Sequence, residues 1–140
     1  MLGCHLVKSW SKGQAIVALS SAESELYACV KATSEGMGVL SVFKDFGMTM
    51  NGKIWADASA ALGIISRRGL GKVRHLDTSH LWIQEVNARK EFEFSKVAGS
   101  KNIADLMTKY LSRETAEMHF NSMGLSKDCE RPEAASQTIK

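Results

Sequence analysis

One long helix constrains this chain more than any other feature. Ser20 is placed to cap it, Glu23 follows three residues later, and no proline interrupts the stretch that follows. The pattern predicts a helix over residues 20–46, ended by Gly47, with Gly36 and Gly38 weakening its middle. Strands are predicted around it. Residues 5–10 and 14–19 read as extended segments, and residues 53–56 as a strand. Residues 59–68 then read as a helix stopped by Gly69. Asp77 or Thr78 is placed to cap another helix over 79–89. Residues 91–95 alternate polar and apolar, which predicts a strand with one buried face. Asn102 is placed to cap a last helix to about Tyr110, and residues 113–123 allow a further short one. This alternation predicts an α/β fold with helices packed on a mixed sheet.

Composition fits that reading. With 140 residues, 44% hydrophobic and 24% charged, the chain has the balance of one globular domain, which excludes wholesale disorder. No apolar run approaches the ~20 residues that cross a bilayer, so no membrane partner is expected. The first residues, Met1-Leu2-Gly3-Cys4-His5, show no secretory pattern. Cys4, Cys29 and Cys129 are odd in number and far apart, which predicts reduced thiols rather than a zinc knuckle. Cys29 lies in an apolar stretch and reads as a core residue. Residues 126–140 carry few large apolar groups and read as a disordered tail, after a helical extension over 114–125.

Three carboxylates occupy informative positions. On a helix turning ~100° per residue, Glu25 falls in the middle of the apolar arc, flanked by Ala28, Cys29, Ala32 and Gly36, while Glu23 falls opposite. A carboxylate aimed at a core is costly unless donors or a cation meet it. A paired buried glutamate, or a helix rotated to expose it, would also account for Glu25. Asp57 follows the strand 53–56 and precedes a helix. It is either a helix cap or turn aspartate, or an acid at the strand edge where open α/β sheets bind ligands. Asp105 comes three residues after Asn102, where a first-turn acid is favoured by the helix dipole and equally where it would face a shared crevice. Three convergent carboxylates would suit a hard cation such as magnesium.

The stretch from Ser66 to His75 carries Arg67, Arg68, Lys72 and Arg74, no acid and two glycines. It would grip a phosphate backbone, or it is a solvated loop. Lys8, Trp10 and Lys12 form a small basic-aromatic group that would stack on a nucleotide unless Trp10 is core. His75 and His80, five apart, do not share a helical face and do not suit zinc. The net charge of +3 permits a nucleic-acid partner without requiring one.

Four motifs, taken together, resemble a known family. Ser9-Trp10-Ser11-Lys12-x-Gln14 followed by residues 17–27, Val-Ala-Leu-Ser-Ser-Ala-Glu-Ser-Glu-Leu-Tyr, resembles the segment of copia-type retrotransposon Pol polyproteins that enters the ribonuclease H domain. Asp57-Ala58-Ser59-Ala60-Ala61-Leu62 resembles the family's Asp-Asn-x-Ser-Ala stretch. Arg74-His75-Leu76-Asp77-Thr78, continuing through Trp82-Ile83 to Glu85, resembles its Lys-His-Ile-Asp stretch. Asn102-Ile103-Ala104-Asp105-Leu106-Met107-Thr108-Lys109 resembles its Ala-Asp-x-x-Thr-Lys ending. The match covers roughly residues 7–113.

The resemblance implies a ribonuclease H-like domain over residues 1–113, lacking the first one or two strands of the family's mixed sheet. It implies hydrolysis of the RNA strand of RNA–DNA hybrids by two magnesium or manganese ions. The second, third and fourth family acids map to Glu25, Asp57 and Asp105. The first maps to no residue here, since no aspartate precedes Trp10, so an impaired enzyme is expected. The loop 97–101 also lacks the histidine that cellular ribonucleases H carry there. The implied partners are an RNA–DNA hybrid and the reverse transcriptase part of the same polyprotein. The implied location is intracellular, in a cytoplasmic particle or the nucleus. A non-catalytic nucleic-acid-binding remnant and an integrase- or nuclease-type relative of the same fold are the competing expectations.

Overall fold

In a computed structural model, which describes residues 1–3, 5–69, 71 and 81–125, Ser20 caps the first helix as its sequence predicts. Its Oγ accepts the Glu23 N–H at 3.2 Å. Helix α1 spans Ser21–Asp45. At its far end Gly47 turns left-handed (φ 76°), the Gly47 N–H bonds the Lys44 carbonyl and the Met48 N–H bonds the Phe43 carbonyl. This pair of bonds is a Schellman stop, which satisfies carbonyls the helix would otherwise leave open.

The chain groups into two units, one of residues 12–102 and one of residues 1–11 with those from Ile103 onward. In the first, α1 is followed by β1 (Gly52–Ala56), α2 (Ser59–Ser66), α3 (Trp82–Ala88) and β2 (Phe92–Lys96). Strands β1 and β2 pair in parallel, with Gly52 opposite Phe92 and Ala56 opposite Lys96. A parallel pair needs a crossover, and α2 and α3 supply it. Inward residues Leu26, Cys29, Ala56, Ala61, Ile64, Ile65 and Ile83 form the core, and Phe94 packs on it. The outward face of the sheet is solvent-exposed and polar around one aromatic. Lys53 lies over the exposed Trp55 ring at 4.4 Å and pairs with Glu93 across the strands at 2.6 Å.

Phe92 explains why glycine interrupts both α1 and β1. Its ring fills a hollow left by two missing side chains. A Cβ on Gly36 would stand 2.9 Å from Phe92 Cζ, and one on Gly52 would stand 2.1 Å from Phe92 Cε1. Gly36 lowers helix propensity and in return lets α1 lie close to the sheet at this point.

The second unit is smaller. Leu2 and His5 form an isolated antiparallel bridge, and the Leu6 N–H bonds the Met123 carbonyl at 3.2 Å. A 3₁₀ turn spans Ile103–Met107 and α4 spans Arg113–Ser122. Ser112 caps α4, accepting the Thr115 N–H at 3.3 Å. His119 and Met123 are buried on its inner side.

Four expectations differ from the structure. Residues 5–10 and 14–19 form no strands. No strand among the described residues pairs with either, His5 making only the isolated bridge to Leu2, and Val17, Leu19 and Trp10 stay exposed. Among the described residues the sheet is accordingly two parallel strands rather than a mixed sheet. The helix expected after Asn102 is replaced by a short 3₁₀ turn, Ile103–Met107, and another, Gly99–Lys101, comes just before Asn102. Asn102 closes the first turn by donating its N–H to the Gly99 carbonyl, and Tyr110 is fully exposed, so no apolar face supports a longer helix. Glu23, expected on the polar side of α1, is only 3% exposed. It is accommodated because the Leu19 N–H donates to it at 2.9 Å and the Tyr27 hydroxyl at 2.5 Å. Helix α2 also stops at Ser66, two residues early. Residues 72–80, with the expected Asp77 or Thr78 cap, and the tail 126–140 lie outside the described residues.

Replacing Gly52 by alanine is expected to destabilise the protein by about 1–3 kcal/mol through overpacking against Phe92. Ser20→Ala is expected to cost about 1 kcal/mol through loss of the cap. Urea denaturation followed by circular dichroism measures both. A Gly52→Ala protein as stable as the parent would show that the Phe92 hollow is not filled.

Candidate functional site

The charges of two of the three carboxylates act on one thiol. Cys29 lies on the inner side of α1, 5% exposed. Burial, and then the charges of Glu25 and Asp57, push its thiol up to about 11 from an ordinary 9.0. Glu25 is one turn before Cys29 on α1, and Asp57 immediately follows β1. Both carboxylates are half-buried. Asp57 thus lies at the carboxyl end of a parallel strand, and the charge of Glu25 acts on the same thiol.

Helix geometry accounts for both charges acting on Cys29. Glu25 and Gly36 are eleven residues apart, within about 20° of one face and about 16 Å along the helix. Gly52 and Asp57 are five apart, also about 16 Å along a strand. With Gly36 held at Gly52 by Phe92, α1 runs antiparallel to β1 and Glu25 arrives beside the strand's end.

Asp57 is not explained by capping. The N-cap of α2 is Ala58, which makes no side-chain cap bond. Among the described residues the Asp57 carboxylate makes no hydrogen bond or ion pair. Glu25 sits on the flank of the buried stripe Glu23, Leu26, Cys29 and Thr33, rather than at its centre. Lys96, the register partner of Ala56, donates to Ser59 Oγ at the start of α2. A lysine therefore stands at the same strand edge. The alternation of residues 91–95 stopped one residue short of identifying it.

Asp105 belongs to the other unit. It is 8% exposed, its carboxylate accepts the Lys109 ammonium at 2.9 Å, and its carbonyl takes the N–H groups of Thr108 and Lys109. Lys109 was within the Thr-Lys ending noted above, but only its four-residue offset from Asp105 signals the pairing. Among the described residues there is no group of three or more His, Cys, Asp or Glu placed to hold a metal ion.

Of the basic residues, Arg67 and Arg68 are described, whereas Lys72 and Arg74, with His75 and His80, lie outside the described residues. Arg67 is half-buried and Arg68 exposed. Trp10 is not core. It is 45% exposed, with the Lys8 ammonium 5.1 Å from its ring centre. No described helix is long and apolar enough to cross a membrane.

With this geometry in place, one comparison with known proteins bears on identity. The chain is similar to part of a retrotransposon Pol polyprotein. Over 121 residues, 84% of this chain, it is 26% identical to the "Retrovirus-related Pol polyprotein from transposon TNT 1-94" of Nicotiana tabacum. The chain spans 9% of that polyprotein's length. No protein-family profile matches it, and no solved structure matches it.

Removing either neighbouring charge is expected to lower the Cys29 pKa from about 11 toward 9.0. The pH dependence of alkylation by iodoacetamide in Glu25→Gln and Asp57→Asn proteins measures this. Because folding raises this pKa, stability is expected to be intact below pH 9 and to fall between pH 9 and 11. A Cys29 titration indifferent to both substitutions would place the carboxylates elsewhere.

Proposed function

We propose that this chain is a ribonuclease H-like segment of a retroelement Pol polyprotein, acting on the RNA strand of RNA–DNA hybrids. The observation that carries the reading is the place of Asp57 at the carboxyl end of a parallel strand, where its charge and that of Glu25 act on the same thiol. Its support is the similarity to a Pol polyprotein and the mapping of three family acids onto Glu25, Asp57 and Asp105.

The donor set fits magnesium or manganese in kind. Two half-buried carboxylates supply hard oxygen, and the Cys29 thiol stays protonated at neutral pH, so no soft ligand competes. Magnesium commonly takes one or two carboxylates and completes its shell with water and substrate phosphate, so this pair suffices to hold one ion. A bound ion would supply an acidified water and neutralise charge on the scissile phosphate. Glu25 and Asp57 would hold it, and the basic stretch after α2, where Arg68 is exposed, would hold the phosphate backbone. The first acid of the family pattern would come from other polypeptide of the same polyprotein.

A second reading, a nucleic-acid-binding remnant without catalysis, is favoured by the lack of a three-acid cluster among the described residues. A labelled RNA–DNA hybrid separates the two. The chain alone is expected to bind it and to cleave it poorly with magnesium or manganese. An N-terminally extended chain that restores the first acid is expected to cleave it, and Asp57→Asn to abolish that cleavage. A folded extended chain that binds without cutting would leave the remnant reading. Robust cutting by the chain alone would remove the need for a fourth acid.

A further inference from the structure

The turn that leaves α2 is closed by a side chain that the sequence does not mark. Gln84, on α3, donates Nε2 to the Ile64 carbonyl at 2.8 Å and to the Gly69 carbonyl at 3.1 Å. Its Oε1 accepts the Gly69 N–H at 2.9 Å. One primary amide, with two donors and one carbonyl, therefore satisfies both backbone groups of Gly69 and one of the carbonyls that the end of α2 leaves open.

The same turn is shaped from within. Gly69 and Gly71 are both left-handed, at φ 78° and 58°. A Cβ on Gly71 would stand 2.7 Å from the Arg67 Cζ, so the Arg67 guanidinium is folded back against its own turn. Arg68, next along the chain, is exposed. The two arginines, equivalent in sequence, differ in placement.

We propose that Gln84 and Arg67 are positioning residues that hold the backbone around Gly69 in a preformed shape, and that Arg68 is the residue beside it that meets a sugar–phosphate backbone. This rests on the nucleic-acid reading above and adds to it a division of labour. The physical basis is the cost of ordering. A turn already fixed by three hydrogen bonds loses little freedom on binding, so its removal should weaken affinity without changing how many phosphates are neutralised. Loss of a cation that meets a phosphate should instead change the salt dependence itself.

The test is binding of a fluorescent RNA–DNA hybrid by anisotropy between about 50 and 200 mM salt, with amide hydrogen exchange at Gly69 as a second readout. Arg68→Ala is expected to lower the slope of log affinity against log salt by about 1. Gln84→Leu is expected to weaken binding several-fold at every salt with the slope kept, and to speed Gly69 exchange at least tenfold. Gly71→Ala, which strains the turn from its other side without touching α3, is expected to act as Gln84→Leu does. Wild-type binding indifferent to both Gln84→Leu and Gly71→Ala overturns the positioning roles. An unchanged slope for Arg68→Ala overturns the role of Arg68. Failure of the unaltered chain to bind at the lowest salt overturns the nucleic-acid reading and this inference with it.

Discussion

The Phe92 ring, seated between Gly36 and Gly52, is the contact on which the arrangement of the larger unit depends. It joins both strands and the long helix at one point. Parallel pairing sets Phe92 opposite Gly52, and the absence of a side chain at each glycine lets the ring in. Because α1 is thereby tied to the start of β1, its earlier turns lie along the strand toward the other end. Glu25, Cys29 and Asp57 share surroundings for that reason. A cost in helix propensity at Gly36 of about 1 kcal/mol is offset by burial of an aromatic ring, which is worth about 1.5–3 kcal/mol.

Acids near a core are tolerated here for distinct reasons. Glu23 is the most buried, and it is held by a backbone N–H and a tyrosine hydroxyl at the entrance to α1. It is a structural carboxylate. Asp105 is matched by Lys109. Asp57 has no such protein partner among the described residues, although it stands beside a thiol that feels its charge. An acid that neither caps nor pairs has no structural explanation of its own, which is why the proposed function rests most on Asp57. Perturbed neighbours around such groups are a recognised mark of functional sites.

The elements legible in the sequence were those written in local chemistry. Ser20 with Glu23 and the Gly47 stop marked α1, residues 53–56 and 91–95 marked the two strands, and Ser112 precedes the short helix foreseen from Arg113. What failed depended on partners elsewhere in space. Residues 5–10 and 14–19 have strand-like composition, but a strand exists only where another strand pairs with it. The α-helix expected after Asn102 lacked an apolar face to bury. Glu25 was placed in the apolar arc, whereas the buried stripe runs through Glu23, Leu26, Cys29 and Thr33, a small rotation that only packing decides. Gln84 was invisible because its role is to bond backbone groups fifteen and twenty residues away.

The central claim is that Glu25 and Asp57 form one cation-binding edge rather than two unrelated surface acids. Paramagnetic broadening by manganese, read residue by residue in the amide spectrum of the folded chain, tests it most directly. The account predicts that substoichiometric manganese broadens the signals around Glu25 and around Asp57 together, and that Asp57→Asn removes both effects. Broadening at only one of the two positions, or a loss at Asp57 that leaves the Glu25 region broadened as before, would contradict a shared site.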